Sequence, residues 1–245
     1  METGSLGLNV LWQQADFVTR GVALMLLAMS IASWYVMADK LVRLGLHRLR
    51  SPRLLSVFWS APTLKDGMQH MQQLGRHSAY AELTDAGVSA ARQHRDALDN
   101  DMNPPAFSEW LTRALRQATL TVSGQLQSGM AILATVGSSA PFIGLLGTVW
   151  GIYHALMKIG LTGDASIDKV AGPVGETLIM TALGLAVAIP ATLGYNLLVR
   201  SNKQTLSELG KFAFELHDLL VIGARATPRG AVPARSTFNA QAEYV

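Results

Sequence analysis

The sequence has no cysteine. Disulfides are therefore excluded, which suits short loops outside the cytoplasm without identifying a compartment. Charge is also scarce, with Asp, Glu, Lys and Arg together making 15% of the 245 residues. Between Arg20 and Asp39 no charged residue occurs, and the run from Gly21 to Ala38 is about the 18 residues at which a membrane-spanning helix becomes the default reading. From Gln117 to Met157 there is again no Asp, Glu, Lys or Arg, a stretch of roughly 41 residues and longer than one bilayer crossing requires. A third apolar block runs from Thr177 to Val199 and, if Glu176 is tolerated inside it, extends back to Val170; that is about 30 residues, or about 45 Å at helical rise. A soluble domain spreads its apolar residues along the chain, whereas here they are concentrated in three blocks. The expectation is an all-α membrane protein, with three transmembrane helices and long helices extending into a helical cytoplasmic domain.

Other absences narrow the function. The roughly 20 residues before the first block hold one Arg and no basic cluster, and the apolar run continues past any plausible cleavage site, which favours a span over a secretory signal. His47, His70, His77, His94, His154 and His217 are scattered without the pairing of a metal site, and the Gly-rich stretch lacks the Lys-Ser/Thr ending of a phosphate loop. No metal, nucleotide or other cofactor is assigned. No Ser, His and acid arrangement lies within the apolar blocks, so an enzyme is not expected. A pI near 9.3 invites a nucleic-acid reading. The basic residues, however, gather just after the first and third blocks, at Lys40, Arg43, Arg48, Arg50 and Arg53 and at Arg200 and Lys203. Those juxtamembrane positions set orientation, and contact with anionic lipid head groups is a second use open to the cluster.

Lys and Arg stay on the cytoplasmic side, whereas residues 1–20 carry only Arg20 against Glu2 and Asp16. The charge pattern therefore places the N-terminus outside and the C-terminus in the cytoplasm. The expected order is an outer segment 1–20, a first span 21–39, a cytoplasmic helical domain 40–128 and a second span 129–157. An outer loop 158–169, a third span 170–199, a cytoplasmic helix 200–225 and a disordered tail 226–245 follow. Ala, Leu, Gln, Arg and Met dominate the middle segment, which favours helix. Thr63 with Asp66 makes a weak capping box, and Asn103 before Pro104 is a plausible helix start. From Ala106, the residues Trp110, Leu111, Ala114, Leu115, Ala118 and Val122 recur at helical spacing. The pattern predicts one helix that begins in the cytoplasm and runs into the membrane.

Glu176 is the one carboxylate in an otherwise apolar run, and at membrane depth such a group costs several kcal/mol unless neutralised or paired. A buried carboxyl can hold and release a proton, the chemistry of a relay. The alternative places Pro173 in the first turn of the third helix, with Glu176 beside the positive end of its dipole at the interface. Thr148, Thr177 and Thr181 add hydroxyls able to donate and accept, or to bond back to their own helices. Glu176 and Thr181 lie about 140° apart around an ideal helix, so both reach one narrow pore only if that helix is tilted or distorted. Pro141, Gly144, Gly147 and Gly151 permit close helix approach, and Gly147-x-x-x-Gly151 has the small-residue spacing of tight membrane packing. Pro190 should kink the third helix.

The segments SAPFIGLLGTVWGIYHAL and AGPVGETLIMTALGLAVAIPATLGYN, read together, resemble the signature of the MotA/TolQ/ExbB proton-channel family. The resemblance is close over about residues 128–200, and the ExbB branch is nearer than the TolQ branch. It implies a pentamer around a central pore that holds transmembrane helices of ExbD, in an inner-membrane complex that powers TonB. It implies that the family's membrane glutamate falls on Glu176 and its pore threonines on Thr148 and Thr181. Two features depart from the pattern: Thr177 stands where small apolar residues are usual, and the loop around Leu161 to Asp168 has no match. One titratable group cannot complete a transmembrane relay alone, and the resemblance supplies the second as an Asp on ExbD. The competing reading is a non-conducting membrane scaffold, in which Glu176 and the threonines are replaceable.

Overall fold

A computed structural model describes residues 16–61, 63–75, 78–162 and 167–222, without the side chains of 47–50, 74, 158, 162, 167–173 and 176. It contains helices α1 (Phe17–Ser60), α2 (Leu64–Gly75), α3 (Ala79–Asp99), α4 (Phe107–Gln127), α5 (Met130–Thr162) and α6 (Ile167–Ile222), and no strand among the described residues. The expected all-α class with three long apolar helices is what the chain forms. Helices suit this role because each closes its backbone hydrogen bonds within itself, leaving no peptide group to hydrocarbon.

Two layers of packing follow from the composition. In the apolar layer α1, α5 and α6 lie together around Val22, Leu26, Val136, Ala140, Ala188 and Ala191, continued by Val36, Met37, Met130, Leu133 and Leu198. Where α5 and α6 face each other, Ala140, Ala188 and Ala191 are buried, and many large residues of the three helices point outward: Leu24, Leu27, Ile31, Phe142, Leu145, Val149, Leu185, Ile189 and Leu193 are all exposed. Such an inside-out distribution is that of helices whose outer faces meet lipid or other chains.

Beyond it, the far ends of α1 and α6 join α2, α3 and α4 in a bundle of ordinary soluble character. Its core is built on Phe58, Met71, Tyr80, Leu83, Leu111, Leu115, Phe212 and Leu216. Phe212 stands edge-on to Tyr80 at 5.2 Å and to Phe58 at 5.6 Å, an arrangement aromatic quadrupoles favour. Ser78 caps α3 by accepting from the Ala81 N–H at 3.2 Å. The Thr63 hydroxyl accepts from the Asp66 N–H at 3.2 Å and donates to its carboxylate at 2.7 Å.

Several sequence expectations are redrawn. Helix α1 runs unbroken from Phe17 to Ser60 and α6 from Ile167 to Ile222, so each apolar span and the bundle helix that follows it form one continuous rod. Much of the connection expected at 158–169 is helical, since α5 reaches Thr162 and α6 starts at Ile167. The single helix expected from Ala106 is two helices. They are joined through Ser128 (φ −52°, ψ 134°) and Gly129 (φ 76°), backbone angles of the central pair of a type II turn, which favours glycine second. The helix start expected at Asn103 falls instead at Ala106 and lacks a side-chain cap, because Pro105 disfavours helical geometry at Pro104. Both α5 and α6 continue through their prolines, Pro141 and Pro190. The expected N-terminal segment up to residue 15 and the tail 226–245 lie outside the described residues.

Candidate functional site

The closest approach in the membrane layer is between α5 and α6, and glycine makes it possible. A Cβ on Gly144 would lie 2.7 Å from the Met180 carbonyl oxygen and 3.0 Å from the Gly184 Cα. One on Gly184 would lie 2.7 Å from the Ala140 carbonyl oxygen. No side chain fits between these backbones. Gly147 meets Met180 and Val22, Gly151 meets Thr177, and Gly137 meets Thr192. Gly137 and Gly184 extend the seam beyond the residues singled out in the sequence; the spacing of Gly137 from Gly144, two turns, was the available signal.

One turn beyond the Gly144–Gly184 contact, the seam encloses a polar pair. Thr148 is buried, and its hydroxyl is hydrogen-bonded to that of Thr181 on the facing helix. Thr148 also donates to the Gly144 carbonyl at 3.0 Å. A hydroxyl has one proton to give, so with Thr148 donating to Gly144, Thr181 is the donor between the two. Back-bonding to the helix and pairing across the interface are thus combined, not alternatives. Thr177 donates to the Val174 carbonyl at 2.8 Å and packs its methyl on Gly151.

Position 176 immediately precedes Thr177 in α6, and the Glu176 side chain lies outside the described residues. Its backbone setting bears on the interfacial alternative. Because α6 begins at Ile167, Pro173 is not in the first turn and Glu176 is the tenth residue, in the third. The helix dipole acts mainly within the first turn, so the premise of that alternative is absent.

The basic residues divide. Lys40 turns inward and donates to the Gln125 and Leu126 carbonyls at 3.0 and 3.2 Å, while Arg43 pairs with Asp39 at 2.8 Å. Arg53 and Arg200 are exposed, and the side chains of Arg48 and Arg50 lie outside the described residues. At the opposite end, His154 Nε2 is 3.4 Å from an Asp16 carboxylate oxygen, and its ring lies 4.8 Å from that of Trp150. This contact of α5 with Asp16, the residue preceding α1, had no sequence signal, since it joins residues far apart in the chain. Ser108 Oγ lies 3.1 Å from His217 Nε2, with Asp218 at 3.4 Å from the other ring nitrogen. His217 also reaches the Ser108 carbonyl at 3.4 Å, and the group ties the start of α4 to the end of α6. No cluster able to hold a metal ion occurs among the described residues.

Comparison with known proteins bears on this seam. The profile of the MotA/TolQ/ExbB proton channel family matches residues 65–211, which include Thr148, Glu176 and Thr181. The chain is 45% identical to a biopolymer transport protein ExbB of Xanthomonas campestris pv. campestris (strain B100), over 86% of this chain and 85% of the relative. It is 35% identical to an ExbB of Neisseria meningitidis serogroup A / serotype 4A (strain DSM 15465 / Z2491), over 86% and 96%. It is 30% identical to a Tol-Pal system protein TolQ of Pseudomonas aeruginosa, over 84% and 89%.

Proposed function

The chain belongs to the MotA/TolQ/ExbB proton channel family, and from that membership we propose that it is an inner-membrane motor subunit working with ExbD to energise TonB-dependent uptake. The ExbB-like role rests on relatives more similar than the TolQ proteins. The pentamer, ExbD, TonB, and the periplasmic N-terminus with cytoplasmic C-terminus are carried over from the family resemblance and the charge pattern.

In this reading the proton passes by Glu176 and a carboxylate of the partner helix, with Thr148 and Thr181 as the hydroxyls beside it. The observation that carries it is the pair of hydroxyls hydrogen-bonded across the α5–α6 seam, in which Thr181 lies five residues along α6 from Glu176. At helical rise that separation is about 7.5 Å, close enough for one hydrated region. A hydroxyl that accepts one hydrogen bond and donates another can pass a proton by exchanging the two. The carboxyl contributes the change of charge, and a group that changes charge among apolar helices alters which helix packing is favoured. One elementary charge crossing about 100 mV releases roughly 2.3 kcal/mol, so several crossings exceed thermal energy comfortably.

Replacing Glu176 with Gln keeps size and hydrogen bonding but removes the titration. The expected outcome is loss of TonB-dependent uptake, with the variant still co-purifying with ExbD. Normal uptake in that variant would reject the reading, and co-purification with TolR and TolA instead would move the chain to the Tol-Pal system.

A further inference from the structure

The two-residue joint between α4 and α5 leaves carbonyls without helical partners. Ser128 N–H bonds back to the Gly124 carbonyl at 3.0 Å, but the positive φ of Gly129 turns the next N–H groups away from the Gln125 and Leu126 carbonyls. Both other long helices fill that gap. Lys40 of α1 donates to Gln125 and Leu126 at 3.0 and 3.2 Å, and Asn202 of α6 donates to Leu126 at 3.0 Å. The Asn202 amide also lies 3.0 Å from Met130 Sδ, on the first residue of α5. Asn202 is buried, at 9% exposure, and Val36 of α1 packs on Gly129.

We propose that Lys40 and Asn202 form a lock on this joint, positioning α5 relative to the cytoplasmic α4 and thereby holding Thr148 against Thr181. The backbone at the joint has no continuous helical ladder to fix its angle. Its geometry is set instead by one cation and one amide converging on the same carbonyl from opposite helices. The cation also faces the negative end of the α4 dipole, where a Lys is favoured. A juxtamembrane lysine serving only orientation would leave its ammonium in water. Lys40 is a positioning residue, and Asn202 its counterpart. The lock stands on these contacts alone; its consequence for proton passage rests on the function proposed above.

The absence of native cysteine allows a direct test. Cysteines replacing the exposed Arg116 of α4 and Leu145 of α5 can be spin-labelled in the full chain. The labelled chain is diluted with unlabelled copies, assembled with ExbD in nanodiscs and measured by pulsed EPR. Lys40→Met and Asn202→Leu should each shift and broaden the inter-label distance distribution and lower proton flux, and Lys40→Arg should restore both. Each variant removes donors from the same carbonyl by a different helix, so failure of one to assemble leaves the other to decide. Distributions as narrow as the parent's in the assembled variants would overturn the lock. A broadened joint with undiminished flux would overturn its positioning role. A parent complex that carries no flux would count against the proposed function, and the EPR result would still decide the lock.

Discussion

The Thr148 and Thr181 hydroxyls form the most specific polar contact of the membrane layer, and their proton arrangement separates their roles. Thr148 keeps the Gly144 carbonyl as an acceptor whatever happens across the seam, whereas Thr181 has Thr148. Thr181→Val, nearly isosteric, should cost only about 1 kcal/mol of stability, the net worth of one hydrogen bond. It should nevertheless reduce proton flux into vesicles, and Thr181→Ser should return it; flux equal to the parent's in Thr181→Val would remove the hydroxyl from the path. In the core of the bundle beyond the apolar layer, burial pushes the Tyr80 phenol up to about 12, Glu208 adding to the effect and a hydrogen bond with Ser51 opposing it. The unfolded phenol ionises near pH 10, so the folded state holds this proton more tightly. The contribution to stability is full below about pH 10 and is lost as pH rises toward about 12. Chemical unfolding followed across that range should show a smaller alkaline loss in Tyr80→Phe than in the parent.

Among the elements, the α5–α6 seam makes glycine substitutions diverge by position. Gly184→Ala places a methyl against the Ala140 carbonyl, which backbone cannot yield cheaply, and should destabilise by about 1–3 kcal/mol, the usual cost of overpacking. Gly210→Ala, at an exposed position in the bundle part of α6 with nothing within 4 Å, should stabilise by about 0.5–1 kcal/mol through helix propensity. Thermal unfolding in one detergent would compare them, and equal effects would contradict the packing. The Gly144, Gly147 and Gly151 positions were legible because small residues at helical spacing in an apolar run have few other uses. The joint at Gly129 was not, since nothing in a lone glycine distinguishes a tolerated helical residue from one with positive φ. The carbonyl contacts of Lys40 were not legible for a related reason: its position after an apolar block indicates orientation, while its acceptors lie 85 and 86 residues away in the chain.

For the whole molecule, three uncharged blocks were enough to read the architecture, because bilayer thickness fixes the length of apolar helix needed. Periodicity could not reveal that α1 and α6 pass without a break from the membrane layer into the soluble-type bundle, since a span and a bundle helix share one backbone geometry. This continuity gives the proposed function a mechanical form: a change of charge near position 176 would act on the same rod that carries Phe212 and Leu216 into the core of the soluble-type bundle. The central claim is that the carboxyl of Glu176 conducts by changing its protonation. The most direct test is proton flux into liposomes holding the full complex under an imposed potential, comparing the parent with Glu176→Gln at equal complex content. The account predicts flux in the parent and none above empty liposomes in the variant; undiminished flux through Glu176→Gln would contradict it.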